Sequence, residues 1–384
     1  MKVTINQKAF SRLRRGHPWI FRSDLLKIEA AAPGPVEVYS SNQKLLGQAL
    51  FSPQSQISLR MMTRGEEKID AQLLRQRLEA ALAWRRRALP GENSYRVVFG
   101  EADGIPSFIL DRYESTLVFQ TLSAGLETFK ADLIDLMRER LDPGCIVERN
   151  DVPSRDLEGL ERINQIAWNR EAPVTQITLL GKTYNVDLLS GQKTGFFLDQ
   201  RLNAQGVGPY LSGRLLDAFS HSGQFALMAG DRVEEIHCVD QSESALEQIK
   251  RNREQNPGPP LQTHQANVFD FLKAQQEQGS LWDSVVLDPP AFVKSRKALS
   301  KAKGGYKEIN LRAMKILRSG GILATFSCSQ NLSRDEFIEV LHDAATDAKR
   351  RVTVVEELGQ PPDHPWDLAI PETRYLKGFV LRVH

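Results

Sequence analysis

Cys328 stands between two hydroxyl residues in Ser327-Cys328-Ser329, at the end of the run Gly321-Ile-Leu-Ala-Thr-Phe that reads as a strand. A thiolate in such a place is a nucleophile that can add to an electron-poor ring carbon. Upstream, the strand-like run Ser284-Val-Val-Leu leads directly into Asp288-Pro289-Pro290-Ala291-Phe292. Two successive prolines fix φ and donate no amide hydrogen, so the carbonyls stay open to a donor, while the Phe292 ring offers a face for stacking a base. Asp288 is suited to bond the N3/N4 edge of a pyrimidine and to help protonate it as sulfur adds. One reaction uses all of these groups. Carbon 5 of cytosine is too weak a nucleophile to take a methyl group, but a thiolate added at C6 makes C5 enamine-like. The C5 proton must then leave to a base, for which the sequence offers no single residue.

Plainer readings stand beside these. Cys328 also reads as a buried core cysteine, the common fate of a lone thiol, and Asp288 as a residue that only orients its turn. An Asp-Pro-Pro-aromatic turn equally suits the amine of a guanine or adenine. Methylation would then fall on nitrogen and Cys328 would be idle. Cys145 and Cys238 read as strand core. The three cysteines are far apart, without a Cys-x-x-Cys pair or a nearby His at ligand spacing, so neither a disulfide framework nor a metal site is expected.

The strand Arg214-Leu-Leu-Asp217-Ala ends in Phe-Ser220-His-Ser-Gly223, a turn rich in small residues that continues as a helix. Such a unit receives ligand at the carboxyl end of a sheet. With one glycine in place of Gly-x-Gly-x-x-Gly, the turn is a poor cradle for a pyrophosphate but suits S-adenosylmethionine, which has no phosphate. The next strand ends at Asp240, where a carboxylate can accept both ribose hydroxyls. Asn267, closing a third strand, can meet the adenine edge. Either residue reads equally as the cap of a following helix.

Positioning these strand ends requires an α/β fold with a parallel, Rossmann-like sheet from about residue 214 onward, strands alternating with helices. Ahead of it the chain divides into a β-rich module at 1–70 and a central α+β domain at 71–172, with 173–384 forming the third domain behind a leading hairpin around Leu180-Gly181-Lys182. In the first module short strands are punctuated by turns. A helix follows at 70–88, with Leu73, Leu74, Leu78, Ala81 and Leu82 at helical spacing. The chain has 384 residues, 41% hydrophobic and 26% charged, too many for one ordinary core. The first residues lack the apolar region of a signal peptide and no stretch approaches membrane-spanning length, so a cytoplasmic protein without membrane partners is expected.

The formal net charge is only +2, so the distribution of charge carries more than its sum. Residues 1–27 hold Arg12, Arg14 and Arg15 among seven basic side chains against the single acid Asp24. Residues 294–307 hold Lys294, Arg296, Lys297, Lys301, Lys303 and Lys307 without an intervening acid, and their Gly-Gly suggests a mobile loop. Singly, each run reads as a solvated face. Beside a base-modifying site they become candidate phosphate contacts.

Taken together, these features resemble the bacterial 23S rRNA cytosine-C5 methyltransferases of the RlmI type. The resemblance covers essentially the whole chain. Residues Arg12-Leu-Arg-Arg-Gly-His-Pro-Trp19-Ile-Phe21 look like the opening of that family's PUA domain, an RNA-binding β-barrel. Gln192-Lys-Thr-Gly-Phe-Phe197-Leu-Asp199-Gln-Arg201 is similar to the segment before its first sheet strand. Asp288-Pro-Pro-Ala-Phe292, Ser327-Cys328-Ser329 and His364-Pro365 with Pro371-Glu-Thr-Arg-Tyr-Leu-Lys377-Gly378 complete the set. The resemblance implies a PUA barrel, a small central domain and a class I methyltransferase domain. It implies S-adenosylmethionine as cofactor, Cys328 as nucleophile, and Phe197, Asp199 and Arg201 in the cofactor pocket. It implies 23S rRNA or a large-subunit precursor as partner, and a homodimer is compatible with it. The non-enzymatic alternative is an RNA-binding assembly factor that keeps the fold without binding the cofactor.

Overall fold

The structure, a computed structural model, describes residues 1–191, 194–292 and 299–384. These divide into two compact bodies. One comprises Met1–Ile177, Val186–Leu198 and Pro362–Thr373; the other comprises Thr178–Asn185, Asp199–Pro361 and Arg374–His384.

The first body holds two sheets. Strands β1 (Lys2–Ile5), β2 (Trp19–Ile20), β3 (Leu25–Ile28), β4 (Gly34–Tyr39), β5 (Leu45–Phe51) and β6 (Leu59–Met61) form a six-stranded sheet in the order 2-6-5-4-1-3. Val3, Ile5, Val36, Val38, Ala49 and Phe51 alternate inward to make its core, as period-two strands require. Helix α1 (Gln7–Arg14) interrupts what the sequence presents as strands and turns. Asn6 starts it by accepting from Ala9 N at 2.9 Å, a cap that satisfies one of the first orphan amides. Helix α2 (Ala71–Ala88) follows, with Asp70 capping Leu73 N and the expected leucines facing inward. A five-stranded sheet then runs in the order 11-10-9-8-7, from β7 (Ser94–Phe99), β8 (Phe108–Tyr113), β9 (Thr116–Thr121), β10 (Cys145–Asn150) and β11 (Ile163–Asn169). Helices α3 (Ala124–Glu127) and α4 (Lys130–Leu141) connect β9 to β10. Strand β11 went unread because it is a mostly exposed edge strand without apolar alternation.

A hairpin of β12 (Gln176–Leu179) and β13 (Lys182–Asn185) turns through Leu180 and Gly181 at φ of 49° and 77°, the paired positive φ of a tight hairpin. The second strand stops at Asn185.

The second body is built on β14 (Gly213–Ala218), β15 (Val233–Asp240), β16 (Leu261–Gln265), β17 (Trp282–Leu287), β18 (Leu317–Ser327), β19 (Val352–Gly359) and β20 (Lys377–Val383). Their order is 16-15-14-17-18-20-19, parallel except for the antiparallel pairings of β20 with both neighbours. Helices α5 (Arg201–Val207), α6 (Gln224–Ala229), α7 (Glu243–Gln255), α8 (Val268–Glu277), α9 (Leu299–Ile316) and α10 (Arg334–Ala348) cover it. Both faces are apolar because both are covered. Leu216, Val285, Leu287 and Leu323 join one core with residues of α8, α9 and α10, while Leu215, Val286, Ala324 and Phe326 join another with residues of α5, α6 and α7. This is the expected α/β class with a Rossmann-like sheet behind a β-rich module.

One expectation is corrected. Residues 299–316 form a helix, so Lys301, Lys303 and Lys307 do not lie on a loop and the Gly304-Gly305 pair is helical. A Cβ at Gly305 would meet the Phe292 ring at 3.4 Å, an ordinary van der Waals contact.

Candidate active site

Four parallel strands end together, and the chain leaving each carries polar groups. Strand β14 brings Asp217 to its end, and the following turn holds Phe219, His221 and Gly223 at positive φ of 62°, 45° and 74°. The two non-glycine residues cost on the order of 1–3 kcal/mol each, so the turn must be held by bonds elsewhere. Gly223 N donates to Ser220 O at 2.7 Å, Ser220 N to Val239 O at 3.2 Å, and His221 N to the Asp240 Oδ2 at 3.0 Å. A side chain at position 223 would press on Ile249, with a Cβ at 3.2 Å.

Asp217 is 1% exposed. Its Oδ2 accepts from Ala226 N at 3.1 Å, and its Oδ1 has no hydrogen-bond partner among the described residues. Burial pushes this carboxyl up to about 8; the Ala226 bond opposes the shift, and the charges of Asp288 and Asp240 add to it. Asp240, at the end of β15, also accepts from Ser242 N at 2.9 Å, which orders the entry to α7. Its carboxylate has lone pairs left for a diol. Asn267 is exposed and caps α8 through Oδ1, which accepts from Phe269 N at 2.9 Å. The plain capping reading of Asn267 therefore holds, and its amide N–H groups are left to meet an adenine.

The family's cofactor fits this donor set. S-adenosylmethionine is a sulfonium with an ammonium group and a ribose diol. The strand ends supply three acids, Asp217, Asp240 and Asp288, and a buried carboxyl oxygen that no described residue bonds. These residues would hold it, and the methyl group would be what it supplies.

The reacting corner lies at β17 and β18. The parallel register that pairs Leu287 with Thr325 brings the residues after each strand side by side. As a result the Cys328 Sγ lies 3.8 Å from Pro289 O, an S–H···O contact, and the residue is partly exposed. Cys145 and Cys238, by contrast, are fully buried, and burial raises both thiols above their ordinary value, as core cysteines require. Pro289 is buried and Pro290 exposed. The Phe292 ring packs on Tyr306 at 4.7 Å, Phe269 at 5.9 Å and Phe219 at 6.3 Å between centroids, so it belongs to an aromatic cluster as well as to the turn.

Three residues of this corner were not singled out from the sequence. Gln200 donates from Nε2 to Asp288 Oδ1 at 2.8 Å and is itself held by Asn203 at 2.6 Å, which fixes the carboxylate's orientation. Tyr306 bonds Ser329 Oγ at 2.9 Å from α9. Lys377 donates to Ser329 O at 2.7 Å and Leu332 O at 2.8 Å from β20. Gln200 and Lys377 do fall inside the segments that carry the family resemblance, which was the available signal.

The remaining candidates are dispersed. Asp199 is buried and accepts from the Tyr375 hydroxyl at 2.6 Å, and Arg201 is buried at the start of α5; both belong to the second body. Phe197 lies in the segment Val186–Leu198 of the first body, one residue before its end. Arg12 is turned inward. It donates to Asp24 at 2.9 Å and to Trp19 O at 3.0 Å and lies over the Phe21 ring, whereas Arg14 and Arg15 are exposed. Lys303 pairs with Glu336 at 3.1 Å and Lys307 with Asp347 at 2.7 Å. Lys294, Arg296 and Lys297 lie outside the described residues. Among those described, no group of three or more His, Cys, Asp or Glu is arranged to hold a metal, and no helix is long and apolar enough to cross a membrane.

Comparison with known proteins adds to this geometry. A PUA-like domain family model matches residues 3–64, and a model described as S-adenosylmethionine-dependent methyltransferase matches residues 165–380. The chain is 40% identical over 383 residues to the ribosomal RNA large subunit methyltransferase I of Photobacterium profundum, covering 97% of this chain and 96% of that one. It is 39% identical over 382 residues to the protein of the same name from Erwinia tasmaniensis, with the same coverage. Among solved structures, a protein described as a SAM-dependent methyltransferase from Streptococcus mutans superposes with a TM-score of 0.85 at 20% identity, and a methyltransferase complexed with SAH with 0.86 at 20%. Each alignment spans 100% of both chains, and at that identity the likeness speaks for the fold.

Proposed function

Because the chain belongs to the S-adenosylmethionine-dependent methyltransferases and opens with a PUA-like domain, we propose that it methylates C5 of a cytosine in 23S rRNA through a covalent adduct on Cys328. The large-subunit RNA is suggested by the names of its full-length relatives. The cytosine is suggested by the chain's own chemistry. The observation that carries the reading is the Cys328 sulfur, partly exposed and 3.8 Å from the carbonyl of Pro289 in the Asp-Pro-Pro turn.

In this account Pro289 and Pro290 hold carbonyls toward the exocyclic amine, and Asp288, oriented by Gln200, bonds the N3/N4 edge. The Cys328 thiolate adds to C6 while a proton shared with Asp288 settles on N3, which leaves C5 electron-rich. Asp217, Asp240 and Asn267 would hold the cofactor, which would supply an electrophilic methyl group. Loss of the C5 proton then lets sulfur leave and restores the thiolate. Methylation of a purine nitrogen would give Cys328 no task, although Tyr306 and Lys377 both order its neighbours. We assign Arg14 and Arg15, with Lys294, Arg296 and Lys297, to phosphate contacts on the RNA, and the protein to the cytoplasm where that RNA is made.

The test is Cys328→Ala, assayed by transfer of labelled methyl groups to large-subunit RNA. Transfer should fall by about 10³-fold or more while S-adenosylhomocysteine still binds. Methylation at the wild-type rate would overturn the adduct mechanism.

A further inference from the structure

Lys377 opens β20 opposite Ser327 in the antiparallel register with β18, one residue from the nucleophile. It is 5% exposed, and Nζ gives two of its three N–H bonds to Ser329 O and Leu332 O. No carboxylate lies within ion-pair distance of it among the described residues. The titratable groups facing it are Cys328 on the β18 turn and Glu336 on α10, which favour its charge, and Arg374 on the approach to β20, which opposes it. Tyr306, on α9, faces the same turn. Burial dominates and brings the ammonium down to about 8, so it is still mostly charged at neutral pH.

An apolar side chain could fill this position without the cost of burying a charge, so packing alone gives no reason for an ammonium here. What an uncompensated cation does is stabilise a neighbouring anion, and the thiolate is the anion within its field.

We propose that Lys377 is a positioning residue for Cys328. It pins the 329–332 turn through two carbonyls and sets a positive charge beside the sulfur, so that ionisation of the thiol is favoured while it is held against the Asp-Pro-Pro turn. The proposal rests on Cys328 as nucleophile, but its test does not use methylation. Iodoacetamide alkylation of Cys328 is followed by peptide mass spectrometry on the full chain from about pH 6 to about pH 10, without RNA or cofactor, because the rate tracks the thiolate fraction. Lys377→Met should move the inflection up by about one pH unit or more and slow alkylation at neutral pH about tenfold, while Lys377→Arg, which keeps the charge, should stay close to wild type. If Lys377→Met does not fold, Lys377→Gln, which keeps a donor without the charge, gives the same reading. An unchanged inflection in the uncharged variant would overturn the proposal, whatever Cys328→Ala shows about the reaction.

Discussion

In the first body, several buried ions come in pairs. Arg155, 1% exposed, meets Glu127 at 3.0 Å; Arg60 meets Glu158 at 3.0 Å with both largely buried; Arg96 meets Asp111 at 2.7 Å, and Arg85 meets Asp103. At the carboxyl ends of the seven-stranded sheet two buried ionisable groups have only main-chain hydrogen-bond partners among the described residues: Asp217 a single amide, Lys377 two carbonyls. A pair offsets the desolvation of each member and fixes geometry. A group without an ionic partner keeps a shifted pKa, and both of these fall near 8, where small changes move protons at working pH. The contrast separates charges that build the scaffold from charges available to chemistry.

Arg155→Ala removes a buried guanidinium that bonds Glu127, Thr121 O and Glu161 O, leaving Glu127 its pair with Lys130, and should cost about 2–4 kcal/mol of stability in urea unfolding, with the cofactor affinity of the folded protein unchanged. A neutral result would mean that the pairs of the first body are not its scaffold. From the site side, Asp240→Ala removes both the anchor of the strained turn and an acceptor for the ribose. It should weaken S-adenosylhomocysteine binding by about 1.5–3 kcal/mol, roughly ten- to a hundredfold by calorimetry. Undiminished binding would remove Asp240 from the pocket.

The third effect is the most specific. The folded chain holds the Asp217 proton up to about 8, whereas an unfolded carboxyl releases it near 4. Below about pH 4 both states are protonated and nothing is lost. Between there and about 8 the folded state binds more protons, so its stability falls as pH rises, on the order of 1 kcal/mol per pH unit. Asp217→Asn cannot titrate, so urea midpoints at pH 5 and 8 should differ less in the variant than in the wild type. Equal differences would show that Asp217 is not held protonated.

The strands that end at Asp217, Asp240, Asp288 and Cys328 were legible because doubly covered parallel strands write themselves as apolar runs, and the residue after each run marks the sheet's carboxyl edge. Their convergence was inferred from order along the chain, and the register of β17 with β18 supplies it. Gln200 and Tyr306 could not be assigned, because their partners lie 88 and 23 residues away and no local pattern encodes such a contact. Helix α9 was misread where Gly304-Gly305 suggested a loop; burial of Ala302, Tyr306, Ile309, Ala313 and Met314 against the sheet outweighs the weak helix preference of glycine. Arg12 looked like a free basic residue until Asp24, 12 positions on, proved to be its partner.

The central claim is a sulfur–carbon bond, and it can be seen directly. Large-subunit RNA substituted with 5-fluorocytidine carries at C5 a fluorine that cannot leave as a proton does, so sulfur cannot depart after methyl transfer. Incubated with this RNA and S-adenosylmethionine, the protein should give a species on denaturing gels shifted by the mass of the RNA and absent from Cys328→Ala. No adduct with the intact protein, or an adduct that persists without the thiol, would contradict the account.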